Sequence, residues 1–268
     1  MLKEERMKRT EMLTYLIDEL CKERHTTVDE QRLDYSWESF RALVNTRQPL
    51  WPSGEFLSAQ DAFLQDEIAY KGITKASDLI PASCDNRLIL WQGDITTLEA
   101  DAIVNAANSK LLGCWVPGHN CIDNAIHTYA GVQLRCTCNE IMKQQGHDEP
   151  SGSAKITPAF NLPAHYVLHT VGPIVMESLT RTDCVTLANC YRSCLNLASE
   201  NKLTSVAFCC ISTGVFGFPQ QEAAAIAFDT VLDWLDGHDT SIERVIFNVF
   251  LDKDYDLYKE LLEAEGQW

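Results

Sequence analysis

Positive charge is scarce in this sequence. Its 268 residues include 22 Lys and Arg against 38 Asp and Glu, which gives a formal net charge of −16. A protein that binds nucleic acid over a broad surface needs clustered basic side chains, so this balance argues against a nucleic-acid partner. A small anionic ligand is not excluded, because backbone amides or a metal ion can hold phosphates locally.

The sequence also lacks a long apolar run and the cysteine spacing of a disulfide framework. No apolar stretch is long enough to span a bilayer, and the charged start, MLKEER, lacks the apolar run of a signal peptide. The eleven cysteines are odd in number and not tightly spaced, which is typical of a reducing compartment. We therefore expect a cytoplasmic protein without a membrane partner.

The first 82 residues lack any strand pattern. Apolar residues recur at helical spacing in three places, around Leu16, Phe40 and Phe63. We predict an α-helical N-terminal extension over residues 1–82, which serves as a structural cap or as a docking surface for a partner. Every motif described below lies beyond Arg87, so we expect this extension to be unnecessary for ligand binding.

From Arg87 onward, short apolar runs alternate with helical stretches. The runs predict strands at residues 88–91, 102–104, 166–168, 206–211 and 245–250. The helical stretches lie at about residues 123–145, 181–200, 220–236 and 254–264. This alternation predicts an α/β domain over residues 83–268, with helices on both faces of a mostly parallel sheet.

Two loops that contain glycine follow predicted strands and lead into helices. They span residues 105–122 and 212–219. Backbone amides in such loops, together with the dipole of the helix that follows, can hold an anion. Taken alone, residues 212–219 are better explained by an ordinary tight turn. The two loops together could hold both phosphates of a dinucleotide-like ligand.

Five successive segments resemble the signatures of the macrodomain family. They are QGDIT at residues 92–96, AIVNAAN at 102–108, DNAIH with AG at 123–131, HTVGP at 169–173 and ISTGVFGFP at 211–219. The segments occur in the order of the family and cover roughly residues 87–252. The resemblance implies a three-layer α/β/α fold with a mixed, mostly parallel sheet and a pocket for ADP-ribose.

The resemblance also implies which residues bind ADP-ribose. Asp94 should hydrogen-bond the adenine amino group, with Ile95 beside it, and Asn108 should contact the distal ribose. Residues 212–216 should wrap the diphosphate. Phe250 falls where an aromatic ring commonly meets adenine, and a core position is the alternative. The implied ligand-binding residues are Asp94, Ile95, Asn108, Ile122, Asn124, Ser212, Thr213, Gly214, Val215, Phe216 and Phe250.

The loop before Asp123 departs from the family pattern. Hydrolytic macrodomains usually carry a run of glycines there, whereas this chain has Cys114, His119 and Cys121. Thiolate and imidazole are good Zn²⁺ ligands, and three protein ligands leave a coordination position open, as catalytic zinc sites do. The spacing is not a standard zinc-finger spacing, and small buried apolar cysteines are the alternative. Resemblance to the zinc-dependent microbial branch of macrodomains favours Zn²⁺ as the cofactor.

The resemblance implies a protein-ADP-ribose hydrolase that removes mono-ADP-ribose from Asp and Glu side chains. Asp123 is the expected catalytic carboxylate that activates or positions water, although a helix N-cap would also suit an Asp there. Asn108 is the second expected catalytic residue, because it contacts the distal ribose. Zn²⁺ could bind the ligand or lower the pKa of a bound water.

Two other functions stay open at this point. The same pocket suits a deacetylase of O-acetyl-ADP-ribose, or a non-catalytic reader of ADP-ribosylation. The expected partners are ADP-ribose and an ADP-ribosylated protein. The resemblance suggests, as one candidate for the latter, a lipoyl-carrier protein modified by a sirtuin-like ADP-ribosyltransferase.

Overall fold

Helices make up most of the N-terminal extension in the computed structural model, which describes residues 9–265. The helices are α1 (Arg9–Glu23), α2 (Val28–Gln31), α3 (Trp37–Asn45) and α4 (Gly54–Lys71). The apolar faces of α1, α3 and α4 meet in a core of their own that includes Leu16, Phe40 and Phe63. The three predicted helices are therefore confirmed, and α2 is a short addition without buried residues.

Hydroxyl side chains start three of these helices. Thr27, Ser36 and Ser53 each accept a hydrogen bond from the backbone amide three residues further on. Such caps satisfy donors that the first helical turn leaves without partners. They explain why the helices begin where they do.

A six-stranded sheet forms the centre of the rest of the chain. Its strands, in spatial order, are β2 (Leu88–Gln92), β8 (Arg244–Val249), β7 (Ser205–Phe208), β4 (Ala102–Ala107), β6 (Tyr166–Val171) and β5 (Ala154–Pro158). Among these strands β5 alone runs antiparallel to its neighbour. The five predicted strands are confirmed. They could be predicted because strands buried on both faces appear in a sequence as apolar runs.

The sequence did not predict the remaining strands. β5 lies at the edge of the sheet, carries Lys155 and ends at Pro158, so it lacks an apolar run. A separate two-residue strand, β1 (Thr74–Lys75), pairs with β3 (Leu98–Glu99). The prediction that residues 1–82 contain no strand is therefore wrong, since β1 joins the end of the extension to the α/β part.

Helices flank the sheet, as predicted. They are α5 (Ile122–Ala130), α6 (Val132–Gln145), α7 (Arg181–Glu200), α8 (Gln220–Gly237) and α9 (Asp252–Glu265). The prediction of one helix over 123–145 is wrong, because Gly131 breaks it with a φ of +96°. A Cβ at Gly131 would come within 2.5 Å of Gln60 Nε2 and 2.6 Å of Gln133 Oε1. Only glycine allows this close approach of the extension.

The described part of the chain has two hydrophobic clusters. The larger lies around the central sheet, and the smaller holds α1, α3 and α4 together. Val132, the first residue of α6, packs into the smaller one. The extension is thus packed directly against α5 and α6. None of the helices in residues 9–265 has the length and apolar composition needed to cross a membrane.

Candidate active site

Three loops meet at the carboxyl ends of the central parallel strands. β4 leads into Asn108, β6 into Gly172 and β7 into residues 212–217, which we call the glycine loop. A Cβ on Gly172 would overlap the Ser212 hydroxyl, and the amide of Val175 donates to the carbonyl of Phe216 at 2.8 Å. Such an edge is where ligands bind in α/β sheets.

The two predicted catalytic residues lie together at this edge. Asp123 is in the first turn of α5 and is buried. Its Oδ1 accepts a hydrogen bond from Asn105 Nδ2 at 2.8 Å, and its Oδ2 accepts one from Asn108 Nδ2 at 3.4 Å. Burial raises the pKa of Asp123 to about 6, against the opposing effects of the Asn105 hydrogen bond and the Arg135 charge.

Residues 114–121, which we call the cysteine loop, bring the three predicted metal ligands together. The ligand atoms of Cys114, His119 and Cys121 all lie within 4.8 Å of one another, and Cys114 Sγ is 3.7 Å from His119 Nδ1. Cys121 is the N-cap of α5, and its Sγ accepts the amide of Asn124 at 3.4 Å. Burial raises the pKa of Cys121 to about 12, and the neighbouring Cys114 adds to this.

The donor set suits a metal ion of the zinc type. Two thiols and an imidazole at this separation are the ligands that Zn²⁺ prefers, and a bound cation favours the deprotonated thiol that burial disfavours. The ligands are half-buried rather than enclosed, so an ion there would be open to a further ligand.

A second group of metal-type side chains lies behind Asp123. His127, Cys138 and His169 are buried, with ligand atoms within 4.8 Å of one another. His169 Nε2 is already 2.9 Å from the Thr157 hydroxyl. Burial and the Arg135 charge lower the pKa of His127 well below its usual value. This group is fully enclosed and offers one thiol, whereas the cysteine loop is half-buried and offers two, so the cysteine loop is the better candidate metal site.

The expected adenine-binding carboxylate has partners from two directions. Asp94 Oδ1 accepts hydrogen bonds from the amide and hydroxyl of Thr96, at 3.0 and 2.6 Å. Asp94 Oδ2 accepts one from Lys71 Nζ at 2.5 Å, and this ammonium lies 3.8 Å from the ring centroid of Tyr129. Burial alone would raise the pKa of Asp94, but the hydrogen bonds from Lys71 and Thr96 outweigh it and lower the pKa.

The two apolar residues assigned to adenine differ sharply in exposure. Phe250 follows β8 and is 75% exposed. The core explanation for Phe250 is therefore wrong, and its ring is free to stack on a ligand. Ile95 is buried in the main core, so its side chain supports this edge from below.

The glycine loop is folded back on itself. The amide of Phe218 donates to the carbonyl of Ser212 at 3.0 Å, and Gly217 donates to Gly214 at 3.0 Å. Ser212 is buried with a φ of +64°, and its Oγ has no hydrogen-bond partner among the residues that the structure describes. Thr213 Oγ1 donates to the Cys210 carbonyl, while Val215 is 80% exposed.

Two further predicted ligand-binding positions lie at the start of α5. Ile122 is half-buried beside the cysteine loop. Asn124 is fully buried, and its Nδ2 donates to the Val116 carbonyl at 3.0 Å while its Oδ1 accepts from Arg41. The Asn124 side chain therefore holds the cysteine loop. Sequence reasoning missed Arg41 and Lys71, because the helices that carry them contain no recognisable motif.

The family model for the Macro domain matches residues 104–227 of this chain. A protein-ADP-ribose hydrolase from Treponema medium is 56% identical over 236 residues, which are 87% of this chain and 88% of the relative. This chain belongs to the macrodomain family. A second relative of this macrodomain, a protein-ADP-ribose hydrolase from Staphylococcus aureus, is 49% identical over 259 residues, or 95% of this chain and 96% of the relative.

Solved macrodomain structures agree with the fold. A Trypanosoma brucei macrodomain in complex with ADP-ribose matches with a TM-score of 0.62 and 31% identity, covering 83% of this chain and 94% of its own. An Oceanobacillus iheyensis macrodomain variant with ADPR has a TM-score of 0.61 and 41% identity, covering 67% and 94%. The Staphylococcus aureus alignment covers 95% of this chain, so it includes most of the 82-residue N-terminal extension.

Proposed function

We propose that this macrodomain hydrolyses the bond between mono-ADP-ribose and the Asp or Glu side chains of proteins, with Zn²⁺ held by Cys114, His119 and Cys121. The observation that carries the proposal is the junction of the cysteine loop and α5. There the three metal-type ligands are followed, two residues after Cys121, by buried Asp123, which accepts a hydrogen bond from Asn108. The curated relatives named protein-ADP-ribose hydrolase support hydrolysis of ADP-ribose from proteins.

Different residues of this chain would bind the ligand and activate the water. The amides of the glycine loop would hold the diphosphate, with Phe250 and Asp94 at the adenine end. Asn108 would orient the distal ribose so that its anomeric carbon faces Asp123. Asp123 would then take a proton from the attacking water. Zn²⁺ bound by the cysteine loop would supply positive charge and Lewis acidity next to this carboxylate.

The ester specificity follows from the shortage of acids near Asp123. A carboxylate leaves the sugar without being protonated, whereas a guanidine nitrogen needs a proton from a well-placed acid. His127 Nε2 lies 3.6 Å from Asp123 Oδ1, and His169 Nδ1 lies 3.1 Å from the Asn105 side chain that bonds Asp123. Burial lowers the pKa of His169 to about 3 and that of His127 well below its usual value. Both rings are therefore neutral at pH 7 and are poor proton donors to an Arg leaving group.

Parallel time courses test the reaction. Glu-linked and Arg-linked ADP-ribosylated proteins and O-acetyl-ADP-ribose would be incubated with the protein, with and without a chelator. We expect release from the Glu-linked substrate, loss of it with chelator and with Asp123→Asn, and little release from the Arg-linked one. Equal rates on both linkages would contradict the mechanism. Binding without release from any substrate would support the reader function instead.

Metal analysis tests the cofactor separately. The purified protein should contain one zinc per chain, which Cys121→Ala should lose. Cys184→Ala is the matched control, because Cys184 is a half-buried cysteine outside the cluster. Zinc that stays in a variant lacking all three ligands would contradict the assignment.

The target protein and the cellular compartment are also proposals. A lipoyl-carrier protein modified by a sirtuin-like ADP-ribosyltransferase is the target that the family resemblance suggests, and it can serve as one Glu-linked or Asp-linked substrate in the time courses. We also propose that the protein works in the reducing cytoplasm. Its eleven cysteines are all free thiols in the structure, and the metal site needs its two thiols reduced.

A further inference from the structure

We propose that Arg41 and Asn45 of the N-terminal extension are positioning residues that hold the cysteine loop in the shape that binds the metal. This inference rests on the proposed zinc site. It assigns to helix α3 a part in the active site, although the sequence of α3 contains no catalytic motif. It gives the extension a role in holding the metal, which the expectation that residues 1–82 are unnecessary for ligand binding did not include.

Both side chains bond to adjacent residues of the cysteine loop. Arg41 donates one hydrogen bond to the carbonyl of His119 at 2.7 Å. Asn45 Oδ1 accepts the amide of Gly118 at 2.9 Å. Gly118 and His119 are consecutive, so α3 holds the backbone immediately before the metal-type imidazole from two directions. Gly118 has a φ of +65°, and this turn carries the His119 side chain toward the two cysteines.

The same two side chains also bond to α5. Arg41 donates from its Nε and a terminal nitrogen to Asn124 Oδ1, at 3.1 and 2.9 Å. Asn45 Nδ2 donates to the hydroxyl of Thr128 at 2.9 Å. Arg41 and Asn45 are four residues apart and therefore lie on one face of α3. Each side chain thus links the cysteine loop to α5, the helix that carries Asp123 in its first turn.

A third connection joins the loop to the end of α3. The guanidinium of Arg135 donates to the carbonyls of Val44 and Arg47, at 3.1 and 2.7 Å. The same guanidinium lies 4.4 Å from the ring centroid of Trp115, within the cysteine loop. Trp115 of the loop therefore stacks on a guanidinium that the end of α3 holds in place.

The loop needs this support because it has little core of its own. Trp115 is 37% exposed and Val116 is 56% exposed, so apolar burial alone cannot order the segment. Hydrogen bonds to the backbone, together with the contact between Arg135 and Trp115, therefore help to define its shape. Metal ligands held in position before the ion arrives bind it more tightly, because less conformational freedom is lost on binding.

The experiment compares full-length variants of extension residues that contact the cysteine loop with a variant of an extension residue that contacts α6. Arg41→Ala, Asn45→Ala and the double variant remove the contacts with the loop. Gln60→Ala is the matched control: Gln60 is buried, and its side chain bonds Asp61, Gln133 and the amide of Val132 rather than the cysteine loop. Arg41→Lys keeps the positive charge and tests whether a single nitrogen can replace the two guanidinium nitrogens that donate in Arg41.

Three measurements separate positioning from mere stability. They are the zinc dissociation constant by competition with a chromogenic chelator, the melting temperature, and amide hydrogen exchange of residues 114–121 in the metal-free protein. We expect the double variant to weaken zinc binding at least tenfold, a typical effect of removing the residues that orient metal ligands. Exchange in the loop should quicken, and Arg41→Lys should restore part of the affinity. Gln60→Ala should lower the melting temperature and leave zinc affinity within about twofold of the wild type.

Two outcomes would overturn the inference. One is a double variant with wild-type zinc affinity, whatever its melting temperature. The other is a Gln60→Ala variant that loses zinc affinity to the same extent. If the wild type itself binds no zinc, the metal part of the proposed function fails, and hydrogen exchange alone then decides the inference. Unchanged exchange in residues 114–121 of the double variant would overturn it.

Discussion

Ser212 holds the glycine loop in a conformation that costs stability. Its φ of +64° is in the left-handed region, which costs a non-glycine residue about 1–2 kcal/mol. Its buried hydroxyl has no hydrogen-bond partner within the described protein, which costs about 1–3 kcal/mol more. A strained residue with an unused donor in the loop assigned to the diphosphate is what a site shaped for its ligand would contain.

Two substitutions separate these costs. Ser212→Ala removes the hydroxyl only, so the free energy of unfolding of the ligand-free protein should rise by about 1 kcal/mol. Ser212→Gly also removes the left-handed strain, but glycine loses roughly 0.5–1 kcal/mol through the entropy of its unfolded chain. We expect a net gain of about 1–2 kcal/mol for Ser212→Gly. Each kcal/mol corresponds to a melting temperature higher by about 2–4 °C.

Affinity for ADP-ribose should change in the opposite direction. A hydrogen bond from the hydroxyl to a charged phosphate contributes about 1.5–3 kcal/mol. Its loss in Ser212→Ala should therefore raise the dissociation constant of ADP-ribose roughly ten- to 150-fold. Thermal unfolding without ligand and titration calorimetry with ADP-ribose measure the two effects independently. A Ser212→Ala protein that is less stable than the wild type and binds ADP-ribose equally well would refute the reasoning.

Three other substitutions test the ligand site. Asp94→Asn should weaken ADP-ribose binding about tenfold, since a hydrogen bond to a charged group contributes at least about 1.5 kcal/mol; equal affinity in calorimetry would contradict the adenine assignment. Phe250→Ala should leave the melting temperature unchanged, because the ring is 75% exposed, yet lose about 1–3 kcal/mol of adenine stacking in the same calorimetric titration. Gly172→Ala should destabilise the protein by about 1–3 kcal/mol, because its Cβ would overlap the Ser212 hydroxyl. Thermal unfolding should show that Ser212→Gly partly rescues it, and an absence of rescue would place the strain elsewhere.

Only part of the architecture was visible in the sequence. Strands β2, β4, β6, β7 and β8 were predicted, because burial on both faces produces continuous apolar runs. The edge strand β5 was not predicted, because an edge strand is less buried and can contain polar residues and proline, here Lys155 and Pro158. The break at Gly131 was also missed, since it depends on the approach of Gln60, which is 71 residues away along the chain.

The candidate site, too, was only partly predictable from the sequence. Cys114, His119, Cys121 and Asp123 lie within ten residues of one another, so their spacing and chemistry could be interpreted from the sequence alone. The sequence left a core position open for Phe250, and the structure excluded it, because β8 ends at Val249 and leaves the Phe250 ring exposed.

The sequence by itself determined an α/β domain with a helical extension, the loops at its strand ends and the local set of metal-type ligands. Only the tertiary structure decided which side chains of the extension contact residues of the candidate site. Arg41 meets Asn124 across 83 residues of chain, and Lys71 meets Asp94 across 23. Such polar contacts depend on how two packed units dock. A hydrogen bond between distant residues leaves no periodic pattern in the sequence, whereas burial of a strand or helix face does.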